Sequence, residues 1–243
     1  MSEHPDPAAW REAVARGEAS IDEAAAAAKG CRACRLWERG TQTVFGEGPG
    51  QNVRLVLIGE QPGDREDIAG RPFVGPAGRV LDAALDAAEI DRRTVWLTNA
   101  VKHFSWEQRG KRRIHKKPKT DEIRACRPWL EAEVAALRPD LVVCLGATAA
   151  QSVLGSTFRV TKSRGIVLSS PLAPRVLATV HPSSILRAPD DETRRAEMEH
   201  FIADLKIAAQ AMREAPVRAE SPAREPSPVP LRLKTVRSRK RTA

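Results

Sequence analysis

The sequence predicts an α/β protein, a three-layer α/β/α sandwich around a mostly parallel, four-stranded sheet. Three observations predict it. Four short apolar runs, at residues 53–58, 94–97, 141–145 and 176–180, have the length of strands. The stretches between them, among them AGRVLDAALDAA, DEIRACRPWLEAEVAAL and ATAAQSVLG, repeat their apolar residues at helical spacing. Strands that alternate with helices pair in parallel and are covered on both faces, because each crossover lays a helix on the sheet.

Ahead of the first run, residues 10–29 with AAAAA at their centre read as one helix by propensity. Run one ends in Gly59-Glu60-Gln61-Pro62-Gly63, run two in Asn99, run three in Gly146-Ala147-Thr148, and run four in His181-Pro182-Ser183-Ser184. Ligands of open α/β sheets bind beyond the carboxyl ends of the strands. Glu60, Asn99 and His181 should therefore converge on one crevice, whereas any one of them alone would suit a loop cap.

Composition narrows the class. The 243 residues suffice for one sizeable core, with 42% hydrophobic and 29% charged residues, and no apolar run has the length of a membrane span. MSEHPDPAAW lacks the basic and apolar regions of a signal peptide, so a cytoplasmic location is expected. The organisation expected is a helical extension over 1–28, one domain over 29–213 and a disordered basic tail over 214–243. Its residues 216–243 supply +6 of the net charge of +9 and are rich in Pro and Ser, which suits loose contact with nucleic acid or mere solubility.

Residues 109–119, RGKRRIHKKPK, carry seven basic side chains in eleven positions, a density that fits phosphate contact better than a solvated face. Arg112, Arg113 and Lys116 are the cations chosen for DNA. His115 stands among them, where neighbouring charge disfavours the imidazolium and favours a neutral, nucleophilic ring. Four cysteines occur. Cys31 and Cys34 form CRAC, a spacing that holds two corners of an iron-sulfur cluster or a zinc ion, whereas Cys144 lies inside an apolar strand and suits the core. With Cys126 this leaves three thiol ligands and one place for a histidine, for which His103 has the best position, although a histidine there would by itself more often be a surface or capping residue.

CRACRLWERGTQTVFGEG, VLIGEQPGDREDIAGRPFVGPAGRVLD, LTNAVKHF, VVCLGATAA, FRVTKSRG and TVHPSSILR, in this order, resemble the iron-sulfur uracil-DNA glycosylases of family 4 over residues 29–208. GEQPGD together with GKRRIHKKP resembles the UdgX branch of that superfamily. The resemblance implies a 4Fe-4S cluster on Cys31, Cys34, His103 and Cys126, with a histidine where family 4 has a cysteine. It implies that Phe73 stacks on uracil, that Asn99 bonds its edge with Gln61 nearby, and that His181 donates to a uracil oxygen. Glu60, with Gln61 and Asp64 beside it, stands where a carboxylate supports a cationic sugar or orients water, though Asp64 equally suits a cap. Arg187, Ser183 and Ser184 are placed for phosphate, and both serines also suit a turn. In the UdgX branch the histidine of the KRRIH loop is understood to bond the abasic sugar, which His115 would do here; the alternatives are a multiple-turnover family 4-type glycosylase, in which His115 merely contacts DNA, and a non-catalytic uracil-DNA-binding module. The partner implied is uracil-containing DNA, single-stranded for preference, bound by a monomer without a membrane.

Overall fold

The computed structural model describes residues 4–215 and 235–236. In chain order the elements begin with β1 (His4–Pro5), α1 (Pro7–Arg16), α2 (Ile21–Ala28), β2 (Leu55–Gly59), α3 (Asp64–Ala69) and α4 (Pro76–Ala87). Then come β3 (Val95–Asn99), β4 (Trp106–Arg109), β5 (Arg112–His115), α5 (Thr120–Leu137), β6 (Leu141–Leu145) and α6 (Ala147–Leu154). The series closes with α7 (Val160–Ser163), β7 (Val167–Leu168), β8 (Val176–Thr179), α8 (Pro182–Leu186), α9 (Asp191–Arg213) and β9 (Thr235–Val236).

The main sheet has the order β3-β2-β6-β8-β7, with β3, β2, β6 and β8 parallel and β7 antiparallel to β8. Four parallel strands agree with the sequence; the fifth corrects it. Two residues of edge strand, Val167–Leu168, are too few to leave an alternating pattern. Side chains alternate across the sheet and fill two separate cores. Val56, Ile58, Trp96, Val142 and Cys144 pack under α1, α2, α5 and α6, while Leu55, Leu57, Leu97, Val143 and Leu145 pack under α4 and α9. Cys144 is fully buried there, a core residue as its apolar neighbours imply.

The amino-terminal region corrects a second expectation, because residues 10–29 form two helices. Gly17 takes φ 77° and accommodates the left-handed cap of α1; Ser20 and Glu23 then close a capping box that starts α2. Propensity summed over the alanines hid this stop and restart. The basic stretch 109–119 is a third correction: much of it is an antiparallel hairpin of β4 and β5, turned at Gly110 with φ 56°. Most of the predicted basic tail lies outside the described residues; its Thr235–Val236 pairs antiparallel with His4–Pro5. Among the described residues no helix is long and apolar enough to cross a membrane.

Strand order decides where a site can stand. The connection leaving β2 runs to β3 on one side, and β6 joins β2 on the other, so the chain diverges at the carboxyl ends of β2 and β6. A crevice opens at such a point because the two crossovers leave in opposite directions.

Candidate active site and metal-binding cavity

A pocket of about 670 Å³ fills that crevice. Glu60 and Gln61 enter it from the end of β2, Asn99 from β3, Gly146 and Thr148 from β6, and His181 from β8; Phe73 and His115 close its sides. The three strand-end residues named from the sequence thus meet in one place. Two glycines make the approach possible. A Cβ on Gly59 would stand 2.4 Å from Asn99 Oδ1 and 2.8 Å from Phe73 Cζ, and one on Gly78 would stand 1.7 Å from the Phe73 carbonyl oxygen. Phe73 itself takes φ 57°, a conformation that non-glycine residues hold only under constraint. The constraint comes from Glu66, whose carboxylate accepts from the amides of Gly63 (3.1 Å) and Gly75 (2.7 Å) on either side of the loop. The Phe73 and His181 rings lie 6.1 Å apart and 25° from parallel.

The state of His181 follows from its partners. The Ser183 amide donates to Nδ1 at 3.1 Å, so Nδ1 is the acceptor nitrogen and the ring proton sits on Nε2. Burial lowers its pKa to about 4, with the Glu60 charge opposing, and the ring is neutral at pH 7. A neutral imidazole that offers one N–H is a hydrogen-bond donor to an oxygen that gains negative charge.

Glu60 faces the opposite wall. Its Oε1 stands 3.2 Å from Nε2 of His115, and Thr148 also donates to it. Burial would raise its pKa, but the His115 and Thr148 bonds outweigh this and hold the carboxyl below its usual range. Glu60 is therefore an anion at neutral pH, beside an imidazole whose side chain is 52% exposed and open to an entering molecule.

The hairpin that carries His115 is anchored from several sides. Gln61 donates from Nε2 to the carbonyls of Ser105 (3.0 Å) and Lys116 (3.1 Å) and accepts from the Ser105 amide (2.9 Å). Its side chain is spent on the hairpin base, so only its backbone remains for a ligand. Arg113 bonds Asp64 and Asp67 at 2.6 Å each, and reaches Thr41 at 3.1 Å. That engagement corrects two expectations: Arg113 is neutralised inside the protein, and Asp64 does not line the pocket. Arg112 and His115 fall on opposite faces of the hairpin, because β5 alternates. Arg187 and Lys117 line the pocket; Lys116, chosen from the sequence, does not. Ser183 lines it and holds His181, whereas Ser184 donates from Oγ to the His181 carbonyl at 2.8 Å and serves the turn.

Glu66, Thr148 and Lys117 were missed among the site residues. Glu66 had a signal, three residues after Gly63 at capping spacing; Thr148 stood at a strand end, and Lys117 stood one place beyond the lysine chosen.

A second, smaller cavity is lined by Cys31, Cys34, His103 and Cys126, the complete predicted ligand set, with Lys102 and Trp129. The donors fit a cluster in three ways. Sulfur acceptors are met by N–H groups, Trp129 Nε1 on Cys31 and the Lys102 amide on Cys126, both at 3.2 Å. His103 has its pKa lowered to about 4 by burial and is neutral. Its Nε2 lies 3.0 Å from Thr43 Oγ1, whose single proton goes to the Ala28 carbonyl; Nε2 therefore carries the ring proton and Nδ1 the lone pair. Among the described residues no three such donors converge tightly enough for a single metal ion.

A deep crevice at the divergence of a parallel sheet, with a ring to stack on, an amide to read an edge, and a neutral N–H donor facing a carboxylate, defines a pocket for a planar, hydrogen-bonding group. Comparison with known proteins gives the particular family. Residues 45–206 match the model of the Uracil DNA glycosylase superfamily, and the chain belongs to it. It is 38% identical over 172 residues to a type-4 uracil-DNA glycosylase of Thermotoga maritima, covering 70% of this chain and 85% of that one. It is 33% identical over 168 residues to the type-4 enzyme of Sulfurisphaera tokodaii, with 66% and 73% covered. For the type-4 enzyme of Archaeoglobus fulgidus the identity is 30% over 177 residues, with 70% and 85% covered.

Proposed function

We propose that this chain excises uracil from DNA, and that His115 then bonds the abasic sugar in the manner of the UdgX branch. One observation carries the second half: a half-exposed imidazole whose Nε2 stands 3.2 Å from a half-buried carboxylate at the pocket wall.

Uracil inside a duplex is out of reach, so the nucleotide enters flipped or from a single strand, and single-stranded DNA is the preferred partner because no pairing is lost. Phe73 stacks on the ring and Asn99 bonds its edge. When the C1′–N1 bond breaks, its electron pair leaves on uracil and positive charge grows on the sugar. Nε2–H of His181 stabilises the first and the Glu60 carboxylate the second. His115 gives its Nε2 proton to Glu60 and forms an Nε2–C1′ bond with the freed lone pair. The products are a neutral alkylated imidazole, protonated Glu60 and the uracil anion, so charge balances. Lys117 and Arg187 hold the phosphates on either side.

A 4Fe-4S cluster on Cys31, Cys34, His103 and Cys126 belongs to the same reading. When bound, it ties the CRAC segment to α5 and leaves the chemistry to the pocket. Iron analysis with visible absorbance tests it.

A second reading, favoured by kinship with type-4 enzymes, has Glu60 orient water while His115 only contacts DNA, with many turnovers. Incubation with a uracil-containing oligonucleotide and a denaturing gel separates the two. A heat-stable shifted band supports capture, whereas abasic product in excess of enzyme supports turnover.

A further inference from the structure

We infer that Trp106 is a positioning residue that ties the His115 hairpin to residues 39–43 and thereby sets how often His115 captures the sugar. A two-stranded hairpin is marginal by itself, and this one has four residues in each strand. β5 is fixed by Arg113 on Asp64 and Asp67, and the hairpin base by Gln61. For β4 the anchor is Trp106, which pairs directly with His115 in the register.

Trp106 is held by residues 39–43. Its Nε1–H donates to the Arg39 carbonyl at 2.9 Å, and the Arg39 guanidinium lies 4.5 Å from its ring centre. Arg113 adds a second cation at 5.6 Å. The same short segment turns to three other sites. Thr41 accepts from Arg113 and donates its amide to Asp67; Gln42 donates to the carbonyls of Asp67 and Ile68; Thr43 meets His103 in the cysteine-lined cavity. Residues 39–43 thus form a strap from that cavity to the hairpin, and Trp106 is where the strap grips the strand opposite His115.

The functional consequence follows from distance. Bond formation needs the nitrogen within about 3–3.5 Å of C1′, and a misplacement of about 1 Å costs on the order of 100-fold. Uracil release depends on His181, Asn99 and Glu60, which sit on the main sheet and not on the hairpin. Loosening β4 should therefore reduce capture far more than release.

The inference rests on capture by His115, and the experiment separates the two. Trp106→Ala, Trp106→Phe and His115→Ser are compared in single-turnover assays that score released uracil and trapped oligonucleotide. In Trp106→Ala the trapped fraction should fall about tenfold or more while release changes less than about threefold. Trp106→Phe, which keeps a ring for Arg39, should recover most of it. An unchanged trapped fraction, or equal loss of release and trapping, would overturn the inference. If the unaltered protein traps nothing, capture itself fails. Amide hydrogen exchange then decides the positioning role: faster exchange over β5 with α4 unchanged upholds it, and equal protection sinks it.

Discussion

Nε2 of His115 and Oε1 of Glu60 stand 3.2 Å apart, joining the β4–β5 hairpin to the carboxyl end of β2. The contact places an imidazole nitrogen and a carboxylate oxygen within one hydrogen bond, and under the proposed capture that nitrogen is the one that bonds the sugar. Each of the following predictions depends on that arrangement or on what supports it.

His115→Ser removes the nitrogen but leaves Glu60, Asn99, Phe73 and His181. The covalent band should vanish and multiple turnovers should appear, because water gains access to C1′. Product per enzyme on a denaturing gel and by uracil release checks both; loss of all release in a folded variant would contradict the assignment.

Under the proposed mechanism Glu60→Gln removes the negative charge that would support the sugar cation, and release should fall about 100-fold or more, the scale of a lost electrostatic stabiliser. In the unaltered protein the hydrogen bonds from His115 and Thr148 hold Glu60 below its usual range despite burial. Its anion should therefore persist as the pH falls through about 4.3, the ordinary glutamate value, and activity should be lost only below it. A pH–rate profile that drops near pH 6 through this carboxyl would contradict the pairing.

Gly59→Ala should impair uracil recognition with little loss of stability. Its Cβ would meet Asn99 Oδ1 at 2.4 Å and Phe73 Cζ at 2.8 Å, and both groups must shift. A loss of about tenfold or more in the single-turnover rate of uracil release at subsaturating DNA, with Tm within a few degrees, is expected.

Lys102 (1% exposed) and Glu133 (0%) form a buried pair at 2.6 Å, and Lys102 also donates to Thr98 and to the Asn99 carbonyl. Breaking one partner leaves an uncompensated buried charge, so Lys102→Met should cost about 3–5 kcal/mol in urea unfolding. Lys102→Met with Glu133→Gln should recover part of that loss, since the stranded charge is gone.

Acid should weaken the fold through His181. Its pKa is about 4 in the folded chain and 6.5 as the ordinary value, so between these the unfolded chain binds the extra proton and stability rises with pH. The loss on going from above pH 6.5 to below 4 is about 3 kcal/mol from this group. His181→Gln should flatten that part of the urea-midpoint profile.

The meeting of Glu60, Asn99 and His181 was legible in the sequence, because an apolar run and the polar residue that ends it are neighbours in the chain. The topology rule for parallel sheets then brings the strand ends together. That Cys31, Cys34, His103 and Cys126 line one small cavity was expected through the resemblance rather than through spacing alone. What the linear order hid were partners supplied by other elements. Arg113 looked like a free cation in a basic stretch, yet Asp64 and Asp67 of α3 neutralise it. Gln61 looked like a ligand-reading amide, yet the hairpin base consumes its side chain.

By itself the sequence determined which residues end the strands, since alternation and breaks are local properties of a chain. Tertiary structure alone decided which of the polar groups stay free for a substrate, because a charge or amide is spent only when folding brings its partner within hydrogen-bond reach.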